Sequence, residues 1–205
     1  MFGSAGVPGV AGVVLLHDRY GGLPHLGHYA GQLRREGFAV EVPDLYGGRS
    51  TTDPAEAERL LGLLDQAAVD RAVDDAVAGL AEAGPVGLVG FSTGGRAALR
   101  AAARGARVAA VVAYDAALAP DAAVAVPTLV HAAGRGDGEA FAPPGRSAAG
   151  RREPGVEATV LVHPGTAPGF ANADVAAYAD VAALAAWNET VAFLRRHLVP
   201  TAVRP

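Results

Sequence analysis

The sequence predicts an α/β fold in which a mostly parallel sheet carries helices on both faces. Short apolar runs such as 11–17 (AGVVLLH) are nearly continuous, which is typical of strands covered on both sides. Segments with helical periodicity alternate with these runs. At 86–99 (VGLVGFSTGGRAAL), a strand-like run passes through a glycine-rich turn directly into a helix-like segment. Ligands of such sheets bind at the carboxyl ends of the strands, so the residues that follow each strand are the candidates for function.

The first predicted strand covers 11–17 and the second covers 38–42, with a helix over 25–36 between them. The helix is predicted from apolar residues spaced three and four apart, and Gly37 suits the position after its last turn. The residues 43–48 (PDLYGG) leave the second strand as a loop.

Two helices are predicted before the central strand. Asp53 and Pro54 indicate the start of the first, because aspartate caps free N–H groups and proline fits the first turn. A break is expected near Asp65, and the second helix is predicted from one apolar stripe: Val69, Ala72, Val73, Ala76, Val77 and Leu80.

After the strand at 86–89, further strands are predicted over 108–114, 128–132 and 156–162. The segment 133–154 is rich in Gly, Pro, Arg and Ala, which predicts a mobile loop with one short helix. A final helix, broken once, is predicted over 172–198.

Composition limits the classes of function. A chain of 205 residues with 51% hydrophobic residues predicts one domain with a sizeable core. The net charge of −4 argues against a general binder of nucleic acids or anionic membranes. The absence of cysteine excludes disulfides and thiolate nucleophiles, and the absence of lysine excludes Schiff-base chemistry.

The remaining expectations concern location and partners. The first ten residues lack the basic region of a signal peptide, so we expect a cytoplasmic protein. No pair among the six histidines has metal-ligand spacing, and we expect neither a metal nor a cofactor. The expected partner is a small-molecule substrate, and a homodimer is left open.

The turn Gly90-Phe91-Ser92-Thr93-Gly94 matches the G-x-S-x-G pattern of a nucleophile elbow, with a strand before it and a helix after it. The turn is sharp, and glycine has no Cβ to clash. Ser92 is therefore the predicted nucleophile. The alternative is an ordinary serine in a glycine-rich turn, and a phosphate-binding loop is disfavoured because the Gly-Lys-Ser/Thr ending is absent.

Four segments together resemble the dienelactone hydrolases of the α/β-hydrolase superfamily, and the resemblance covers nearly the whole chain. It rests on 16–21 (LHDRYG), 37–46 (GFAVEVPDLY), 90–95 (GFSTGG) and 164–172 (PGTAPGFAN). It implies an α/β-hydrolase fold and an enzyme that acts on a small carbonyl, ester or lactone substrate.

The departures from the family pattern are informative. Ser92 stands where the family has cysteine, and Asp18 stands where it has glutamate, so the resemblance makes Asp18 a further candidate catalytic residue. Pro168 occupies the position of the catalytic histidine, and proline cannot accept a proton. The resemblance also implies an oxyanion hole formed by the backbone N–H groups of Thr93 and Arg19.

Another histidine is needed as base if Ser92 is a nucleophile. His163 with Asp137 as the acid fits the superfamily order of serine, acid and histidine. The alternative for His163 is a hydrogen-bonded residue at a strand end, and for Asp137 a solvated loop aspartate. His131 lies inside a strand and is expected to be a core histidine. Predicted pocket-lining side chains come from the matching segments and the first helix: His17, Arg19, Tyr20, His25, Tyr46, Phe91 and Phe170.

Three functions remain open. The first is an ester or lactone hydrolase with Ser92 as nucleophile. The second is a cyclase, lyase or isomerase of small-molecule, polyketide-like biosynthesis that uses the oxyanion hole and acid–base residues without a covalent intermediate. The third is a non-catalytic binding protein.

Overall fold

A computed structural model describes residues 9–117, 123–135, 151–152 and 156–199. The helices and strands follow one another in the order β1 Gly12–Leu16, α1 Pro24–Arg35, β2 Ala39–Glu41, α2 Pro54–Gly62, α3 Gln66–Ala81, β3 Val86–Phe91, α4 Thr93–Ala103, β4 Ala110–Tyr114, β5 Ala123–Val124, β6 Thr128–Ala133, β7 Arg151–Arg152, β8 Ala158–His163 and α5 Asp180–Leu198.

Six strands form one parallel sheet in the order β2-β1-β3-β4-β6-β8. The central strands β1, β3, β4 and β6 are buried along their whole length, as their continuous apolar sequences predict. One face of the sheet packs against α1 and α5, and the other packs against α3 and α4. The predicted α/β fold with helices on both faces is therefore confirmed.

The helix starts follow from local capping. The Asp53 side chain accepts a hydrogen bond from the backbone N–H of Glu56, and Pro54 occupies the first turn of α2. The predicted break near Asp65 is also present, because Asp65 is the N-cap of α3 and accepts from the Ala67 N–H.

The last helix begins later than predicted. It starts at Asp180 rather than at 172, because the preceding residues form turns that are held by side chains. The Asn172 side chain accepts a hydrogen bond from the Asp174 N–H, and the Asn172 N–H donates to the Gly169 carbonyl. Such local bonds compete with helix formation.

The short strands β5 and β7, which form a separate two-stranded parallel ladder, are not predicted from the sequence. The strand β7 lies within the segment predicted as a loop. Most of that segment, including the short helix expected there, lies outside the described residues. No helix in the described part of the chain combines the length and the apolarity needed to cross a bilayer.

Candidate active site

The turn from β3 into α4 holds Ser92 in a strained backbone conformation. Ser92 has φ 47° and ψ −106°, a region that residues with a side chain rarely adopt. A Cβ atom on Gly90 would lie 2.3 Å from the Gly94 carbonyl oxygen, and one on Gly94 would lie 2.5 Å from the His17 carbonyl oxygen. Only glycine fits both places. The turn has the strand–turn–helix geometry of a nucleophile elbow, and Ser92 immediately precedes the N-terminus of α4.

The two N–H groups predicted to form the oxyanion hole lie on segments that meet at this elbow. The close approach of Gly94 to the His17 carbonyl oxygen brings the end of β1 against the first turn of α4. The loop after β1 is shaped by Asp18, whose Oδ1 accepts from the Tyr20 N–H at 2.8 Å. Between them lies Arg19, whose N–H is one of the two predicted donors. This geometry supports the predicted oxyanion hole, which stays a prediction.

Asp18 is buried and both of its carboxylate oxygens are hydrogen-bonded. Besides the bond to Tyr20, Oδ2 accepts from the Asn172 side-chain amide at 2.7 Å. Asn172 in turn accepts from the Asp174 N–H at 2.9 Å. Asp18 therefore ties the loop after β1 to the loop after β8, and its predicted direct part in catalysis stays a prediction.

His25, near the start of α1, is held by this same network. Oδ2 of Asp174 accepts from the His25 backbone N–H at 2.7 Å and lies 3.3 Å from its ring Nδ1. The ring packs edge-on against Phe91 with the centroids 5.7 Å apart. Its other nitrogen, Nε2, is buried and has no hydrogen-bond partner in the described part of the chain. Burial lowers the pKa of His25, an effect that the nearby Asp18 and Asp174 carboxylates oppose.

A buried chain of hydrogen bonds lies beneath the sheet on the side of α1 and α5. The Tyr29 hydroxyl contacts the Tyr114 hydroxyl at 3.1 Å, which contacts the Thr190 hydroxyl at 2.8 Å. Thr190 also contacts His131 Nε2 at 3.1 Å, and His131 Nδ1 contacts His163 Nε2 at 3.1 Å. Burial, with a smaller contribution from the neighbouring His163, lowers the pKa of His131 to about 3. As expected, His131 is a core histidine with both ring nitrogens hydrogen-bonded.

His163 does not contact Ser92. It ends β8, three strand intervals from β3, which corresponds to about 14 Å across the sheet at about 4.8 Å per strand. Its ring stacks on Phe170 with the centroids 4.7 Å apart, while Nε2 faces His131. Burial lowers the pKa of His163. The structure therefore matches the hydrogen-bonded strand-end alternative, and no contact supports the predicted role of base.

The loop side chains predicted to line the pocket are largely engaged with protein groups. His17 is buried, with Nδ1 bonded to the Asp18 carbonyl at 2.7 Å and Nε2 accepting from the Leu45 N–H at 3.0 Å. The guanidinium of Arg19 donates to Glu58 at 2.7 Å and to the Tyr20 hydroxyl at 3.1 Å. Their contacts with substrate stay predictions.

Tyr46 packs its ring against His17, with the centroids 4.8 Å apart. Its hydroxyl is buried and has no partner among the described residues. Burial, aided by the charge of Asp18, raises the pKa of Tyr46 to about 12. The hydroxyl is therefore a hydrogen-bond donor near neutral pH.

Phe91 and Phe170 belong to the core rather than to an open pocket wall. Phe170 is 0% exposed between Tyr114 and His163. Phe91 is 4% exposed, meets Tyr29 edge to face and lies at a tilt against Tyr114. Both rings are buried among other aromatic side chains, and their contact with substrate stays a prediction.

Three polar residues to which the sequence prediction gave no role hold the site together: Asp115, Asn172 and Asp174. Asp115 has φ 47° and follows β4, next to the elbow. Its carboxylate accepts from the N–H groups of Ala133 and Gly169, both at 2.8 Å, and burial raises its pKa. Its position directly after a predicted strand was the available signal.

Two predictions are not tested by this geometry. Asp137, predicted as the catalytic acid, lies outside the described residues. Within the described ranges, no group of three or more histidine, aspartate or glutamate side chains could hold a metal ion, and the expectation of no metal stays a prediction.

Comparison with known proteins gives a consistent result. The family model of the dienelactone hydrolase family matches residues 1–198, whereas no curated protein matches significantly. A Klebsiella pneumoniae protein assigned to the dienelactone hydrolases has a TM-score of 0.74 at 18% identity, over 95% of this chain and 89% of its own. A dienelactone hydrolase from Anabaena variabilis has a TM-score of 0.64 at 24% identity, over 94% and 89%. A metagenomic dienelactone hydrolase-like promiscuous phosphotriesterase has a TM-score of 0.66 at 21% identity, over 95% and 88%. At these identities, the structures show a shared fold.

Proposed function

We propose, from the premise that this chain belongs to the dienelactone hydrolase family, that it hydrolyses a small ester or lactone with Ser92 as the nucleophile. The strained elbow is the observation that carries the proposal. A serine at φ 47°, flanked by two glycines at which an added Cβ would clash with neighbouring backbone, is costly to maintain unless the hydroxyl must be presented at the sheet edge. Family membership and the shared fold of esterases support a hydrolase.

The reaction would use the backbone around the elbow. The substrate carbonyl oxygen would accept hydrogen bonds from the N–H groups of Thr93 and Arg19, and the N-terminus of α4 would stabilise the developing negative charge. Ser92 Oγ would bond to the carbonyl carbon, the ester C–O bond would break, and water would then release the acid. A lactone would open to a hydroxy acid by the same steps.

The atom that Ser92 would attack indicates the substrate class. One relative with this fold is described as a promiscuous phosphotriesterase and others as esterases. Both reactions place negative charge on an oxygen next to the attacked centre, which is the charge that an oxyanion hole stabilises. A small uncharged ester or lactone is therefore the first class to test.

A second function is favoured by one specific observation. Pro168 stands where the resemblance places the catalytic histidine, and His163 is bonded to His131 instead of Ser92. A site of this kind could stabilise an enolate without a covalent intermediate, as a cyclase, lyase or isomerase does. Such an enzyme would keep its activity when Ser92 is replaced by alanine.

Intact-mass analysis after incubation with a fluorophosphonate distinguishes the two functions, with Ser92→Ala as the control. We expect one adduct on the unmodified chain and none on the variant. An unlabelled but folded protein would contradict a nucleophilic Ser92 and would redirect the search to non-covalent carbonyl chemistry.

A further inference from the structure

We propose that His25, oriented by Asp174, is the base that accepts the proton of Ser92. This inference rests on the proposed function, because it assigns a partner to the nucleophile. The family pattern places the catalytic histidine at Pro168, on the loop after β8. His25 would take that role from the start of α1, which is joined to the same loop by the hydrogen bonds of Asp174.

Asp174 fixes the protonation pattern of the ring. Its Oδ2 lies 3.3 Å from His25 Nδ1 and accepts the His25 backbone N–H at 2.7 Å. A carboxylate accepts and does not donate, so Nδ1 carries the hydrogen of the neutral ring. The lone pair is then on Nε2. This is the tautomer that a serine hydrolase requires, with a carboxylate on one nitrogen and a free acceptor on the other.

The free acceptor is buried. His25 is 5% exposed, and its Nε2 has no partner within the described part of the chain. Buried polar atoms of proteins are nearly always hydrogen-bonded, and a catalytic role is one of the explanations for an exception. The hydroxyl of Ser92 or of a bound substrate would satisfy this nitrogen.

The ring lies beside the elbow. It contacts Phe91, which directly precedes Ser92 in the chain, and Asp174 belongs to the loop that also contains Pro168. His25 and Ser92 are not hydrogen-bonded in this structure. Catalytic hydrogen bonds are often long in free enzymes and tighten when the substrate binds.

The charges around His25 suit a base. Burial lowers the pKa of His25, so the ring is neutral near pH 7 and can accept a proton. The carboxylates of Asp18 and Asp174 raise the pKa and would stabilise the imidazolium once it forms, while His17 lowers it. Among the described residues, these three groups are the ionisable side chains that act on the ring.

The proposed step is balanced. As the Ser92 Oγ–carbon bond forms, the serine proton moves to Nε2 and the carbonyl electron pair moves to the oxyanion. When the oxyanion collapses, the ester C–O bond breaks and the leaving oxygen takes the proton from Nε2. Water repeats the sequence on the acyl-enzyme.

The test is the rate of fluorophosphonate labelling of Ser92 between pH 5 and 9, measured by intact mass. We expect His25→Gln to slow labelling at least about 100-fold and to remove its dependence on pH below 7, since a general base contributes about 10²–10⁴-fold. Asp174→Asn is expected to slow labelling less than this. His28→Asn, an exposed histidine on the same helix, is the matched control and is expected to label like the unmodified protein.

Two further variants keep the test decisive. His25→Phe preserves the aromatic contact with Phe91 if the glutamine variant folds poorly, and added imidazole is expected to restore part of the labelling in His25→Ala.

Equal labelling of the His25 and His28 variants would overturn this inference and leave Ser92 as the nucleophile. Loss of labelling in His163→Gln alone would overturn it in favour of His163. An unlabelled parent protein would overturn the proposed function, and the assigned base with it.

Discussion

Replacing Gly94 with alanine tests whether the close approach of β1 to the elbow is essential. The new Cβ would lie 2.5 Å from the His17 carbonyl oxygen and 2.6 Å from that of Leu16. Both are backbone atoms, so a side-chain rotation cannot relieve the contacts. To reach even 3.0 Å, the first turn of α4 must move by about 0.5 Å, which is the positional tolerance of a catalytic site.

The expected loss of stability can be worked from two opposing effects. Overpacking of this kind costs about 3 kcal/mol, and the better helix propensity of alanine returns about 1 kcal/mol. The net loss of about 2 kcal/mol corresponds to a fall in Tm of about 4–8 °C for a chain of this size. Labelling of Ser92 should also fall, because the backbone N–H groups of Thr93 and Arg19, which are predicted to form the oxyanion hole, would no longer lie at the same distance from each other.

Thermal denaturation followed by circular dichroism measures the first effect, and fluorophosphonate labelling measures the second. Gly79→Ala is the matched control, because its Cβ would meet nothing within 4 Å and the residue is exposed in α3. We expect the control to be stabilised by up to about 1 kcal/mol. If Gly94→Ala were as stable and as reactive as Gly79→Ala, the argument from close backbone approach would be wrong.

Three further predictions concern stability. Asn172→Ala removes the partner of a buried Asp18 oxygen and should lower the free energy of unfolding in urea by about 2 kcal/mol; an unchanged value would show that the bond contributes nothing. Asp53→Ala removes the N-cap of α2 and should cost about 1 kcal/mol by the same measurement, with the neighbouring exposed Thr52→Ala expected to be neutral. His131 has a folded-state pKa of about 3, below the ordinary 6.5. Its contribution to the free energy of unfolding is therefore fully present above about pH 6.5. Between about pH 6.5 and pH 3, this contribution is lost at about 1.4 kcal/mol per pH unit, because the unfolded chain binds a proton that the folded chain does not. His131→Gln should therefore flatten the dependence of unfolding free energy on pH in this range, and a parallel pH curve for the variant would contradict a neutral buried His131.

The sheet and the elbow could be predicted because their signals are local and repetitive. The apolar runs around Leu15 and Val112 have the composition of strands covered on both faces, and the two glycines around Ser92 are required by sterics at that turn. The positions of the helix starts at Asp53 and Asp65 also follow from a single capping residue.

The network around the site could not be predicted in the same way. Asp174 and His25 are 149 positions apart in the sequence, and nothing in the pattern around either residue indicates the other. The residues from Asn172 onwards have helical periodicity, yet the Asn172 side chain forms a turn with its own backbone neighbour and delays the helix. Periodicity reports which face of a segment is apolar, whereas the contacts of a loop depend on which distant segments the sheet brings together.

The hydrogen bonds from Tyr29 to His163 can all point the same way. If each hydroxyl donates towards His163, every donor from Tyr29 onwards has an acceptor, and His131 Nδ1–H donates to His163 Nε2.

In the satisfied direction, the only hydrogen left on the neutral His163 ring is on Nδ1. The half-exposed edge of that ring then offers an N–H to its surroundings and has no lone pair with which to take a proton. The fold thus links the tautomer of His163, at the end of β8, to the direction in which the Tyr29 hydroxyl on α1 donates.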